Sequence, residues 1–330
     1  MKIKYIALPV LLSSIPALAQ ADTEFVNKFY GEVQGQIVWQ DNQDYQGQTQ
    51  LVRAGASGLY TADHFKVKYE AEVQYSDNFD NRGQDDIQVT IGRALFITDY
   101  GTFVLGKAYS GVYAEVYKRV DIHYSNNGEN SSRNKMLWEQ ATYGTNVFAY
   151  STPRFKLGNG TIKVVGSVNS PKDDNDSNFD VTSARVVYNS KNFNASAGYV
   201  GVNEKMKAVE AENRYDRYSV GADYTFKNLT FVGLAEITDY AFNNAENTYA
   251  AALKYKFDQL KFGVSYQHKT YTDNWTGVED TQSLVIASVG YEYSQNLTFF
   301  AEGAFYGEEP ALFNDSYSED SLNIGIRVKI

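Results

Sequence analysis

The sequence predicts an all-β chain closed into a transmembrane antiparallel β-barrel of about sixteen strands. Three observations predict it: long runs of two-residue alternation, short turns alternating with long polar connections, and a chain that ends inside a strand. Phe65 to Tyr75 (F-K-V-K-Y-E-A-E-V-Q-Y) shows the first. Phe65, Val67, Tyr69, Ala71, Val73 and Tyr75 share one face of a strand, and Lys66, Lys68, Glu70, Glu72 and Gln74 share the other. A soluble sandwich buries the apolar face, whereas a membrane barrel turns it to lipid. Alternation alone does not choose between them. Soluble sandwiches divide into modules of about 100 residues, and this chain shows no linker, low-complexity tract or break in composition.

In chain order, the opening M-K-I-K-Y-I-A-L-P-V-L-L-S-S-I-P-A-L-A-Q-A-D has two lysines, a short apolar run and then small residues. That is the pattern of a secretory signal peptide over 1–21, cleaved after Ala21 or, by a second A-x-A site, after Ala19. The run is too short for a membrane anchor helix. Its removal leaves 309 residues as a single domain, 22–330, and takes Lys2 and Lys4, so the formal charge moves from −10 to −12. Such acidity argues against a nucleic-acid partner. With no cysteine there are no disulfides and no thiolate metal site. The 27 Tyr and 19 Phe, against 5 Pro, favour strands. A mean hydropathy of −0.43 suits a soluble protein and a barrel with a wet interior equally.

The first strand is expected over Phe29 to Trp39. Tight turns follow at 61–64 and 189–192, and within Y-T-F-K-N-L-T-F (224–231), Y-K-F-D-Q-L-K-F (255–262) and Y-S-Q-N-L-T-F (293–299). Longer polar segments lie near 40–48, 76–86, 109–136, 169–179, 202–213, 239–247, 270–280 and 307–318. Long and short connections therefore alternate, with both termini on the short-turn side. Outer-membrane barrels have this asymmetry, with short periplasmic turns and long external loops. The strands around 249–257, 260–266 and 322–330 repeat the alternation, with aromatics at strand ends as interfacial girdles. An open edge in lipid leaves backbone groups unpaired, so the last strand must pair with the first.

At this point the chain resembles the trimeric general diffusion porins of the Gram-negative outer membrane. Arg53-Ala54-Gly55-Ala56-Ser57-Gly58-Leu59 is similar to that family's second-strand R-x-G-x-x-G, and Asp99 to Tyr109 (D-Y-G-T-F-V-L-G-K-A-Y) to the turn and fifth strand that lead into its third loop. The resemblance implies that the third loop folds into the lumen and narrows it. It also implies a homotrimer in contact with outer-membrane lipid and lipopolysaccharide, for which Gly31, Gly35, Ala54, Ala56 and Gly58 offer flat walls. There are departures. The family's Pro-Glu-Phe-Gly-Gly is replaced by D-I-H-Y-S-N-N-G-E-N, a first-strand Lys by Glu32, and the usual terminal Phe by Ile330. A sixth-strand Arg is matched only by the region around Tyr143. Arg93 shares parity with Ile87, Val89 and Ile91 and reaches the lumen only if a bulge at Gly92 shifts the register.

The function implied is passive diffusion of small hydrophilic solutes and ions, with no cofactor, no metal and no catalysis. Opposed charges across a narrow lumen orient polar solutes. Of the third loop's acidic residues, Asp121 matches the family best by position, ahead of Glu115 and Glu129. The constriction candidates are Arg53, Lys66, Lys68 and Lys107 on the wall and Asp121 and Glu115 on the loop, with Lys118 and Arg119 on either face of it. Glu32, Glu70, Glu72 and the net charge point to a mild cation preference. Two alternatives stay open. A substrate-selective channel, for a sugar for example, calls for a lumen ladder of aromatics, yet most aromatics fall on the lipid face. A barrel hydrolase calls for His with Ser or Asp, and only His64, His123 and His268 are present. The acidic segment P-K-D-D-N-D-S-N-F-D (171–180) has Phe179 and Arg185 where an EF-hand loop counted from Asp174 needs Gly and Glu, so it reads as a solvated loop.

Overall fold

The computed structural model describes residues 25–41, 44–75, 87–129, 136–170, 180–202, 214–240, 244–273, 276–307 and 319–330. The signal peptide, the acidic segment before Asp180 and the second loop around Asn78 to Asp85 lie outside the described residues. In chain order the strands are β1 (Phe25–Gln40), β2 (Gln46–Thr61), β3 (Lys66–Tyr75), β4 (Ile87–Thr98), β5 (Gly101–Tyr109), β6 (Tyr143–Ser151), β7 (Phe155–Leu157), β8 (Gly160–Asn169) and β9 (Val181–Ser190). The second half holds β10 (Phe193–Val202), β11 (Tyr215–Phe226), β12 (Leu229–Tyr240), β13 (Asn244–Phe257), β14 (Leu260–Asp273), β15 (Val278–Glu292), β16 (Leu297–Tyr306) and β17 (Ser321–Lys329).

Neighbours in sequence are antiparallel neighbours in space, and β17 returns to β1, from Glu32 opposite Lys329 to Gln40 opposite Ser321. Gly31 and Ile330 exchange backbone hydrogen bonds at 3.2 and 2.9 Å, which extends the seam to the last residue. β6 and β7 both lie on β8 and are two halves of one stave, so the seventeen segments make sixteen staves. Pro153 sits at the break, where its missing N–H removes no ladder bond.

The connections sort as the sequence predicts. Lys227 and Asp258 take the left-handed backbone, at φ 55° and 52°, in two-residue links whose twist matches that of the strands. The termini share the rim of the short turns, where the Asn296 amide donates to the Lys329 carbonyl. Two long connections are shorter than expected, because β12 and β13 reach Tyr240 and Asn244, and β14 and β15 reach Asp273 and Val278. Those strands extend past the span that lipid alone requires.

The outer surface is apolar. Phe29, Val33, Ile37, Leu105, Val220, Ile237, Val264 and Ile324 are exposed on it. In β3, Val67, Tyr69 and Val73 lie on that face, and Lys68, Glu70 and Glu72 turn inward to polar partners. β4 changes face once. Glu72 pairs with Ile91 but Val73 with Val89, so Thr90 bulges out of register. Ile87 and Val89 therefore face outward, while Ile91 and Arg93 face the lumen. The bulge that brings Arg93 inward thus lies at Thr90 rather than at Gly92.

The interior of the second half departs from a watery lumen. Val200, Val232, Leu234, Ala250, Ala252, Leu284, Ile286 and Ala304 point inward, and the segment after β5 covers them. That segment holds α1 (Gly111–Glu115), a 3-10 turn (Tyr117–Arg119), residues 120–129, and 136–142 leading into β6. Val112, Tyr113, Val116, Tyr117, Val120, Met136, Leu137 and Trp138 pack on the inward patch and make one apolar core inside the barrel. Each fully buried side chain of this kind contributes roughly 1.5–3 kcal/mol. The aromatics expected mostly toward lipid thus have a second population within the lumen.

Candidate pore constriction

The third connection docks on the wall by polar contacts as well. Glu302 on β16 accepts the backbone N–H groups of Tyr124 at 2.7 Å, Ser125 at 3.3 Å and Asn126 at 2.6 Å, and the Asn126 amide at 2.8 Å. From β1 and β2, the Gln34 and Gln50 amides donate to the carbonyls of Tyr124 and Ser125, at 2.9 and 3.3 Å. The Ser125 hydroxyl donates to Gln36 at 2.7 Å. Tyr124 stacks on Phe300, centroids 5.0 Å apart. Farther along the wall, Tyr117 donates its hydroxyl to Glu236, Leu137 N–H reaches Gln267 at 2.9 Å, and Glu139 pairs with Lys269 at 2.6 Å. The loop thus touches the wall from β8 round through β17's neighbours β16 and β1 to β2.

The candidate residues divide into three groups. Arg53 meets the loop directly, 3.1 Å from Glu129 and 3.8 Å from Glu72, and donates to the Tyr109 hydroxyl at 3.3 Å. Lys118 joins the same carboxylate at 2.5 Å and lies over the Tyr109 ring. Glu115 pairs with Lys163 on β8 at 2.8 Å, and Arg119 points the other way, into Asp223 and Ser196. On the wall, Glu70 holds both Lys68 and Arg93, and Glu32 holds Arg327. Lys66 and Lys107 enter none of the ion pairs among the described residues; Lys107 follows Gly106, whose φ of +118° and contact with the β4 backbone leave no room for a Cβ. Asp121 requires a correction. It turns into the loop, accepting from the Tyr113 hydroxyl and from Gly128 N–H at 3.1 Å, and does not look across the lumen.

Loop electrostatics follow from this packing. Burial pushes the Asp121 carboxyl up to about 7, against the hydrogen bonds from Tyr113 and Gly128 and with help from Glu129. Burial likewise pushes the His123 ring down to about 3. Its two nitrogens meet the Ser288 and Ser265 hydroxyls at 2.9 and 2.8 Å, and no carboxylate bonds it among the described residues. For Glu129, burial is outweighed by Lys118 and Arg53, which hold it below the usual range. The signs oppose. Asp121 supports docking when protonated; that support is complete below 3.8 and lost as pH rises through about 7. His123 supports docking when neutral; that support is complete above 6.5 and lost as pH falls toward about 3. Open-channel conductance is therefore expected to be nearly flat between about pH 4 and 6.5. Asp121→Asn leaves His123 alone, and the loop should loosen on acidification. His123→Gln leaves Asp121, and the loop should loosen as pH climbs to about 7. Conductance and trypsin access of the three proteins across this range check the signs.

The loop leaves a cleft of about 570 Å³ between α1 and the wall from β4 to β9. Arg93, Arg154, Lys163 and Arg185 line it, with Glu115 the one carboxylate among its lining residues. Sequence reasoning missed Lys163 and Arg185 as lumen groups. Alternation along V-T-S-A-R-V-V puts Arg185 opposite Val186, which would have found its face but not its neighbours. Asp223, Glu236, Arg217, Lys269 and Glu302 were missed for the same reason.

A closed sixteen-stave barrel with an outward apolar band and an inward third loop defines an outer-membrane channel barrel. The Gram-negative porin family model matches residues 7–310, and the chain belongs to that family. The fold is similar to Salmonella typhi OmpF, solved with daunomycin, at TM-score 0.72 and 17% identity, covering 92% of this chain and 97% of that one. It is also similar to an anion-selective porin from Comamonas acidovorans, at TM-score 0.68 and 12% identity over 93% and 100% of the two chains. For the trimer form of the Vibrio cholerae outer membrane protein OmpT the values are 0.68 and 16%, over 93% and 99%. No curated protein matches the chain in sequence.

Proposed function

We propose that this barrel is a homotrimeric diffusion channel for small hydrophilic solutes and ions, narrowed to the cleft beside α1. The observation that carries it is the one-sided docking of the third loop. It fills the lumen against β10 to β16 with an apolar core and leaves a cleft edged by Arg93, Arg154, Lys163 and Arg185 against β4 to β9. Membership of the porin family and the trimer form of a similar barrel support the assembly, and the outward small residues Gly31 and Ala54 suit close packing of walls. Export through a cleaved signal peptide and contact of the long external loops with lipopolysaccharide belong to the same reading.

The net charge of −10 favours cations. The cleft favours the opposite sign. Glu32, Glu70 and Glu72, on which a cation preference rests, each face an arginine, whereas the cleft carries four cations to one carboxylate. Ions that pass this cleft are filtered by its charge, and a mild anion preference is the reading adopted. For a sugar channel the support is limited to the stacked pair Tyr109 and Tyr143, centroids 4.9 Å apart, since Tyr113 on the other side of Tyr109 is fully buried.

Planar-bilayer conductance of the purified protein under a KCl gradient tests the proposal. Large ohmic steps closing in threes, with a reversal potential on the chloride side, are expected. A potassium-side potential returns the selectivity to the net charge. A folded barrel without steps returns a plugged or hydrolytic role, with His123 between its two serines as the group to test.

A further inference from the structure

Among the cations of the cleft, Arg185 stands apart. Arg93 is held by Glu70 and Lys163 by Glu115. Arg154 is exposed to water. Arg185 is partly buried on β9, its Nε has no hydrogen-bond partner, and no carboxylate lies in ion-pair range of it among the described residues. A guanidinium withdrawn from water without an anion is costly unless an anion visits it. The fold nonetheless holds it there. The guanidinium fills the space beside Gly111 at the start of α1, where any Cβ would collide with it. The backbone of the loop thus props a free planar fork at the edge of the cleft, and Arg154 and Lys163 share that lining.

We propose that Arg185, with Arg154 and Lys163, forms a binding subsite for small anionic solutes bearing a carboxylate or phosphate group. The planar fork of Arg185 suits two parallel hydrogen bonds to two oxygens of one such group. Lys163 and Arg154 supply point charge around it, and Glu115, bound to Lys163, limits the attraction so that the solute leaves again. Binding must be strong enough to recruit a solute and weak enough to release it. The subsite rests on the diffusion-channel reading above, and it adds a saturable step that ordinary diffusion lacks.

The test uses the full refolded protein with inorganic phosphate and malonate as probes, on wild type, Arg185→Gln, Arg185→Lys and Arg154→Gln. Chloride current is titrated with each probe in bilayers, and heat of binding is measured on the folded protein in detergent. Saturable block by at least one probe is expected, with the half-blocking concentration raised about tenfold in Arg185→Gln, the size of a lost bidentate contact. Arg185→Lys should keep the charge and lose most of the affinity; Arg154→Gln, at an exposed site that does not threaten folding, should weaken block several-fold. Preference between the probes shows which head group the fork takes. Steps without saturable block, or block unaltered by all three variants, overturn the subsite and leave the channel standing. Absent steps with probe heat lost in Arg185→Gln leave the subsite standing and overturn the channel. Absence of both overturns both.

Discussion

Glu302→Ala is expected to release the third loop from the wall and raise single-channel conductance several-fold. Glu302 is 2% exposed and gathers three consecutive backbone N–H groups and one side-chain amide of the loop. Hydrogen bonds to a charged acceptor contribute about 1.5–3 kcal/mol each, and buried donors left without an acceptor cost about 1–3 kcal/mol each. Even the lower figures sum to several kcal/mol, and each 1.4 kcal/mol is about tenfold in the docked population. The docked state should then become a minority state around Tyr124 to Asn126. Single-channel recordings should show larger, noisier openings, and limited proteolysis should cut between residues 122 and 129. Glu302→Gln keeps an acceptor and should lie between the two. Unchanged conductance together with an uncut loop would show that the apolar core alone holds the loop.

The second large effect is expected at Arg217. Its side chain is 2% exposed, donates to the Thr238 hydroxyl at 2.9 Å, lies 3.5 Å from Glu236 and sits over the Tyr215 ring. Glu236 is fully buried and also accepts from the Tyr117 hydroxyl and, at 3.1 Å, from Glu139 N–H. Arg217→Ala leaves that carboxylate buried with no cation, which typically costs about 3–5 kcal/mol. Thermal unfolding followed by circular dichroism should show a clear drop in midpoint. Removing both charges while keeping an acceptor for Tyr117 and Glu139, as in Arg217→Met with Glu236→Gln, should recover much of it, because no unpaired charge is then left buried. A double variant no better than Arg217→Ala alone would mean that Arg217 acts by packing.

The barrel was legible because lipid imposes a strict pattern. Phe65 to Tyr75 and Leu322 to Ile330 alternate without a fault, and the closing pair of strands follows from the cost of an open edge. Arg93 was legible only conditionally. Its face depends on an extra residue at Thr90, and nothing in I-Q-V-T-I-G-R marks which residue bulges. The apolar interior left a trace that alternation obscures: Phe231-Val232-Gly233-Leu234 and Leu284-Val285-Ile286 are apolar on both faces, the mark of a strand covered on both sides. The ion pairs were not legible, since Arg53 and Glu129, or Arg119 and Asp223, meet only through register and loop path.

The loop's anchors are dispersed along the chain. Ser125 bonds Gln36, 89 residues earlier, and Asn126 bonds Glu302, 176 residues later. Closing such distances in an unfinished chain costs entropy that no single contact returns. The full set of anchors can therefore form only after the first and last staves have met. Seating becomes a late step in biogenesis and a checkpoint on it. A barrel stalled before closure lacks the anchors around Tyr124 to Asn126 that join the two ends of the chain, and that stretch would be a segment by which quality-control proteases tell finished barrels from unfinished ones.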